Sequence, residues 1–177
     1  MPKFRGFEYA VFVAVLTPAG AVLTTAGAAL MTTRVARGAE PEAALTQALA
    51  DSMAQRCLSE SKSKGWPAFS IAVVDAGGAL ILLRRQDTAA PVTADVAALK
   101  AKSAVRTGAP TEVLATMGQD SPTRDLFLLM QLTDDPGGLP VRINGRVVGA
   151  IGVSGGTAEQ DIGCAASASG AVPPEKK

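Results

Sequence analysis

The side chains best placed to do chemistry lie around one proline. Arg84, Asp87, Thr88, Thr93 and Lys100 flank Pro91 within seventeen residues. They are candidates for holding a ligand, and Asp87 or Lys100 could serve as a general acid or base. An exposed Arg/Asp group is, however, most often a surface ion pair worth little. Asp75 is a second acidic candidate. It opens Asp75-Ala76-Gly77-Gly78, where a hairpin turn wants a carboxylate to accept backbone N–H groups, so the turn reading is preferred over catalysis. The chain has no histidine, which excludes the Ser-His-Asp triad, histidine zinc sites and a proximal histidine on haem. No residue pattern marks an activated nucleophile.

Ser154-Gly155-Gly156 follows an apolar strand and precedes a helix, the arrangement of an anion site. It lacks the fingerprint of one. A dinucleotide site needs an acidic residue about 20 residues beyond its glycines inside a βαβ unit, and the Walker lysine is missing too. The glycines are better read as places of close backbone approach.

Composition narrows the classes further. Hydrophobic residues make up 47% of the 177, aromatics only 4%, and 17 basic residues face 16 acidic ones. There is neither a basic footprint nor a set of stacking platforms for nucleic acid.

From Tyr9 to Thr33 no residue is charged. Residues 1–33 therefore read as a membrane-targeting segment, followed by a linker at 34–41, a folded domain at 42–170 and a tail at 171–177. A retained helix is the preferred reading: the stretch is long enough to span, Tyr9 and Phe12 gather at one end as an interfacial belt would, and Gly20 and Gly27 permit close helix approach. Pro18 and Gly20 would kink it. The alternative is a cleaved signal peptide with a site near Ala26-Gly27-Ala28. The two cysteines, Cys57 and Cys164, fall on the first and last expected helices of the domain. In an exported protein they could form a disulfide; two buried thiols are the competing reading.

These residues need elements to position them. Apolar spacing predicts a helix over 42–64, and 68–74 and 79–84 read as a hairpin about the Asp75 turn. A second helix follows over 94–107, and Thr111 would cap a short third one. Residues 121–133 fit strand or helix. Asn144-Gly145 suits a type I′ turn between two more strands, the second ending at Val153, and a helix over 157–169 closes the domain. Helices and hairpins without βαβ repeats give an α+β class with an antiparallel sheet.

The order SIAVVDAGGAL (70–80), Arg84 to Pro91, KAKSA (100–104), GGLP (137–140) and VGAIGVSGG (148–156) followed by Gln160-Asp161 resembles the GlcG/HbpS family of haem-binding or haem-degrading-like domains. The resemblance implies a sheet of about five antiparallel strands packed by helices, homo-oligomers, and binding of a tetrapyrrole or other small ligand. It places the ligand at the Asp87–Thr93 loop and the helix carrying Lys100, and it sets Gly149 and Gly152 in a subunit packing region. Related exported chains often carry a histidine after the loop proline, where this chain has Val92, and Asp-Gly-Ala is Asp87-Thr88-Ala89 here. Any haem would then be held without histidine, by Thr88, Thr93 or Met117 or by pocket contacts alone.

Three functions follow as expectations. The first is an accessory subunit of a larger membrane complex, anchored by the N-terminal helix with its domain in the periplasm. The second is a periplasmic haem or small-ligand binder, anchored or released after cleavage. The third is an enzyme using Asp/Lys acid–base chemistry.

Overall fold

The computed structural model describes residues 44–172. The expected anchor, with Tyr9, Phe12, Pro18, Gly20 and Gly27, lies outside them. Among the described residues no helix is long and apolar enough to cross a membrane.

Nine elements follow in order: α1 (Gln47–Ser63), β1 (Ser70–Asp75), β2 (Leu80–Arg85), α2 (Val92–Thr107), α3 (Thr111–Met117), α4 (Ser121–Leu129), β3 (Gly138–Ile143), β4 (Arg146–Ser154) and α5 (Ala158–Ser169). The α+β class holds, with a correction to the sheet. Among the described residues it has four strands in the order β2-β1-β4-β3, every neighbouring pair antiparallel, rather than five. The segment that could have supplied another strand, 121–133, is instead mostly α4, with Pro122 in the first turn where its missing N–H costs nothing.

Local chemistry sets most boundaries. Thr46 caps α1 by accepting the Leu49 N–H, and Thr157 with Gln160 closes a capping box on α5. Asp75 Oδ1 accepts the N–H groups of Gly77 and Ala79, both at 2.9 Å, as the turn reading requires. Asn144 and Gly145 adopt φ of 52° and 75°, the left-handed pair of a type I′ turn. Thr111 does not cap α3. Pro110 holds that position, and the Thr111 hydroxyl instead accepts the Gly138 N–H at 2.9 Å.

The sheet is covered on both faces. Phe69, Ile71, Val73, Ile151 and Val153 pack with Met53, Ala54 and Cys57 of α1 and Cys164, Ala165 and Ala168 of α5. Cys57 and Cys164 are joined as a disulfide between the two helices, their Cα atoms 4.6 Å apart. Ala72, Val74 and Ala150 meet Ala97, Ala101 and Ala104 of α2 on the other face. Here the helix backbone comes so close that a Cβ on Gly152 would strike the Ala97 carbonyl oxygen; a Cβ on Gly149 would instead strike the Val74 carbonyl oxygen on the neighbouring strand β1. Both glycines thus serve close approach within the chain.

Candidate functional site

The β1–β2 register separates the predicted site residues. Ile71 pairs with Arg84 and Ser70 with Arg85, so alternation turns Arg84 toward α1 and Arg85 toward α2. Arg84 meets Asp51 of α1 at 3.3 Å, with both side chains partly exposed. Beyond β2, Gln86 pins the loop to the sheet: its N–H donates to the Phe69 carbonyl at 3.0 Å and its Oε1 accepts the Phe69 N–H at 2.7 Å. Asp87 and Thr88 follow, both exposed, and Ala89 turns inward. Pro91 occupies the N-cap position of α2 without a side-chain capping bond.

Thr93 and Lys100 lie seven residues apart on α2, near two full turns, and both project from the side that packs on the sheet. The Thr93 hydroxyl lies 2.7 Å from that of Ser70 on β1 and 2.7 Å from the Ala90 carbonyl. Lys100 is 1% exposed. Its Nζ donates at 2.8 Å to Asp161 Oδ2 on α5 and lies 2.8 Å from Asp135 Oδ2 in the loop before β3. Asp161 is buried, and its second oxygen accepts the Gly156 N–H at 2.9 Å. Burial raises the Asp161 carboxyl above its ordinary value, while the Lys100 and Gly156 hydrogen bonds pull it down. At Ser154-Gly155-Gly156, then, the Gly156 N–H is satisfied by the chain's own carboxylate.

The loop and α2 therefore bring Thr93 close to Ser70 and Lys100 close to Asp161 and Asp135, while Arg84 is held on the other face. Asp161, Asp135 and Ser70 were not singled out for a role in the sequence. The signal for the buried lysine was its spacing with Ala97 and Ala104, which puts it on the alanine face of α2 rather than with Lys102 and Arg106. Beside the loop, Leu58, Lys62, Trp66, Pro67, Gln86 and Thr88 border a cleft of about 490 Å³, within the size range of small-molecule sites. Met117, at the end of α3, is 55% exposed. The described donors to a haem iron are thus hydroxyls and a thioether. The Thr93 hydroxyl is already engaged.

With this geometry in view, the relatives are informative. A family model described as haem degrading protein HbpS-like matches residues 45–169. Protein GlcG of Escherichia coli (strain K12) is 34% identical over 110 residues, covering 62% of this chain and 81% of its own. The crystal structure of a double mutant of Streptomyces reticuli HbpS superposes with a TM-score of 0.69 at 29% identity, over 89% of this chain and 100% of that one. A PduOC–haem complex gives a TM-score of 0.67 at 25% identity, over 73% of this chain and 96% of the other. The five motifs, the α+β fold and these matches place the chain in the GlcG/HbpS family, among the HbpS-like proteins.

Proposed function

We propose that this protein is an exported binder of haem or a related tetrapyrrole, with its domain in the periplasm and its ligand held at the Asp87–Thr93 loop. The observation that carries the reading is a family match described by haem, together with a structural neighbour solved as a haem complex. The relatives support it over the accessory membrane subunit expected first. Arg84, Asp87, Thr88, Pro91, Thr93 and Lys100 divide their tasks in this reading. Thr88 is accessible to a ligand, Pro91 and Thr93 fix the loop to α2 and β1, and Lys100 ties α2 to the first turn of α5 through Asp161. Arg84 supports the strand from which the loop leaves. A homo-oligomer fits the apolar side chains that α3 and α4 leave exposed, among them Val113, Leu128 and Leu129.

The donor set suits loose retention of haem. Bound haem would supply an iron whose reactivity its axial ligands tune; this chain would contribute hydroxyls and cations. Haemin titration of the full-length chain should give saturable binding without the low-spin spectrum of imidazole ligation. Val92, at the start of α2, is 63% exposed, so Val92→His should strengthen binding and shift the Soret band. Absence of saturable binding in the wild-type protein would refute the reading. A monomer mass in light scattering of the same sample would remove the oligomer.

A further inference from the structure

The two edges of the sheet differ in how they end. At β3 the outer side is closed. The Val153 N–H donates to the opposite Gly137 carbonyl at 3.0 Å, so alternation along the register turns the Gly138 and Pro140 backbones away from β4. The Gly138 N–H is taken by the Thr111 hydroxyl, Pro140 has no N–H to offer, and Arg142 donates to the Gly108 carbonyl at 2.8 Å. A further strand would find no ladder of donors there.

At β2 the outer side is open. The Gln86 N–H donates to the opposite Phe69 carbonyl at 3.0 Å, which makes Arg84–Ile71 and Leu82–Val73 the next hydrogen-bonded pairs. The N–H and C=O groups of Leu83 and Arg85 therefore point away from β1, and among the described residues no strand pairs with them. Ile81 is the extra residue of a bulge, so the regular ladder begins after it. Helix α2 packs on β1 and β4 rather than on this edge, and Leu80 and Leu83 are left exposed on its face of the sheet. An uncovered apolar edge is a template for another strand.

The charges of β2 are already met. Arg84 contacts Asp51, and Arg85 donates to the Ala89 carbonyl. The edge thus lacks backbone partners and cover for its leucines, not a counter-charge, and an acidic peptide fits it less well than a second apolar strand. Another copy of β2 supplies that strand at matching length. Antiparallel pairing about Leu83 sets Leu83 against its own copy, Arg84 against Leu82 and Arg85 against Ile81. No two guanidinium groups meet in that register. Parallel pairing, or antiparallel pairing about Arg84, would set arginine against arginine.

We propose that two copies of this chain join edge to edge through β2, antiparallel and about a two-fold axis at Leu83, so that their sheets become one. The pairing does not depend on haem, and it uses a surface apart from the apolar side chains of α3 and α4.

The test uses the full-length protein. Light scattering should give an even number of copies, and amide hydrogen exchange should show Arg85 protected at high concentration and progressively exposed on dilution. Leu83→Lys places two ammonium groups opposite each other at the axis and should weaken the pairing roughly tenfold, with loss of Arg85 protection. Leu83 is exposed, so this variant keeps the fold, which circular dichroism checks. Leu129→Lys, on α4, should leave Arg85 protection unchanged. Protection of Arg85 that survives Leu83→Lys, or that is lost in Leu129→Lys instead, would overturn the proposal. A monomeric wild-type chain would overturn it too, whether the Arg85 amide exchanges freely or is protected by some other strand. Saturable haemin binding by such a monomer would leave the haem reading standing while the pairing falls.

Discussion

On one face of the sheet Phe69, Ile71, Ile151 and Val153 meet two helices across large aliphatic contacts; on the other, Ala72, Ala150 and Gly152 meet α2 through little more than methyl groups and backbone. The first face gains stability from buried area, which grows with side-chain size. The second has little side-chain area to bury and gains instead from close packing, where many short contacts each add a small dispersion term. Two of the ion pairs differ in the same way. Arg84–Asp51 sits half in solvent beside the bulky face, whereas Lys100–Asp161 is buried and links α2, on one face of the sheet, to the first turn of α5, on the other. A charge buried this far from water must be matched by another.

The disulfide offers the strongest way to break this comparison, since it joins the two helices of the bulky face. Cys57 and Cys164 are separated by 107 residues. In the chain-entropy model, closing a loop of that size contributes about 4–5 kcal/mol. The Cys57→Ser, Cys164→Ser double variant should lose stability of that order in urea unfolding, with an unchanged fold by circular dichroism. A loss below about 1 kcal/mol would mean that the aliphatic packing holds the face without its bond, contrary to the model.

The buried pair comes next. Asp161→Ala leaves Lys100 with only the exposed Asp135, and should cost about 3 kcal/mol, because removing one partner strands a buried charge. Asp135→Ala should cost under about 1 kcal/mol, as an exposed partner does. The pH dependence has a definite sign. With the Asp161 carboxyl raised in the folded state, the native protein takes up that proton before the unfolded chain does. Its contribution is therefore full below the ordinary carboxylate range and is lost as pH rises through the raised value. The stability difference between wild type and Asp161→Asn, followed by urea unfolding across that window, should fall with rising pH. A difference that rises instead would show that the Lys100 contact outweighs burial.

The sequence was most legible where one local rule decides the structure. Asn144-Gly145 can be read as a type I′ turn because few other residue pairs accept two positive φ angles. Thr157 and Gln160 can be read as a helix start because each satisfies the other's backbone donor. Residues 121–133 were ambiguous because their apolar part, Leu126-Phe127-Leu128-Leu129-Met130, is a short run without a period. Only Phe127 of these joins a buried cluster, with Leu114 and Leu132. The Lys100–Asp161 contact spans 61 residues. No local rule reaches that far, so Lys100 could be read as a candidate for ligand binding or acid–base chemistry but not as the partner of Asp161. The cleft was hidden for the same reason, since Trp66 meets the Thr88 loop only after the sheet has formed.

The smallest effect is expected at Arg84, and it bears on both the comparison and the site. The Arg84–Asp51 separation of 3.3 Å is long for a charge-assisted hydrogen bond, and the side chains remain 32% and 46% exposed. Water screens such a pair and competes for both partners. A double-mutant cycle of Arg84→Ala with Asp51→Ala should therefore return a coupling near 0.5 kcal/mol, reduced further by salt. A coupling above about 2 kcal/mol would mean that the pair is desolvated like its buried counterpart, and the contrast between the faces would fail. The same variant separates a supporting role from a ligand contact. If Arg84 only braces β2 against α1, Arg84→Ala should leave haemin affinity within about twofold of wild type, as a surface substitution away from the ligand does. A larger loss of affinity with unchanged stability would put Arg84 in contact with the ligand and extend the site to the α1 face of the strand. The outcome turns on a feature fixed by register. Arg84 and Arg85 are neighbours in sequence, but pairing with Ile71 and Ser70 sends them to opposite sides of the sheet.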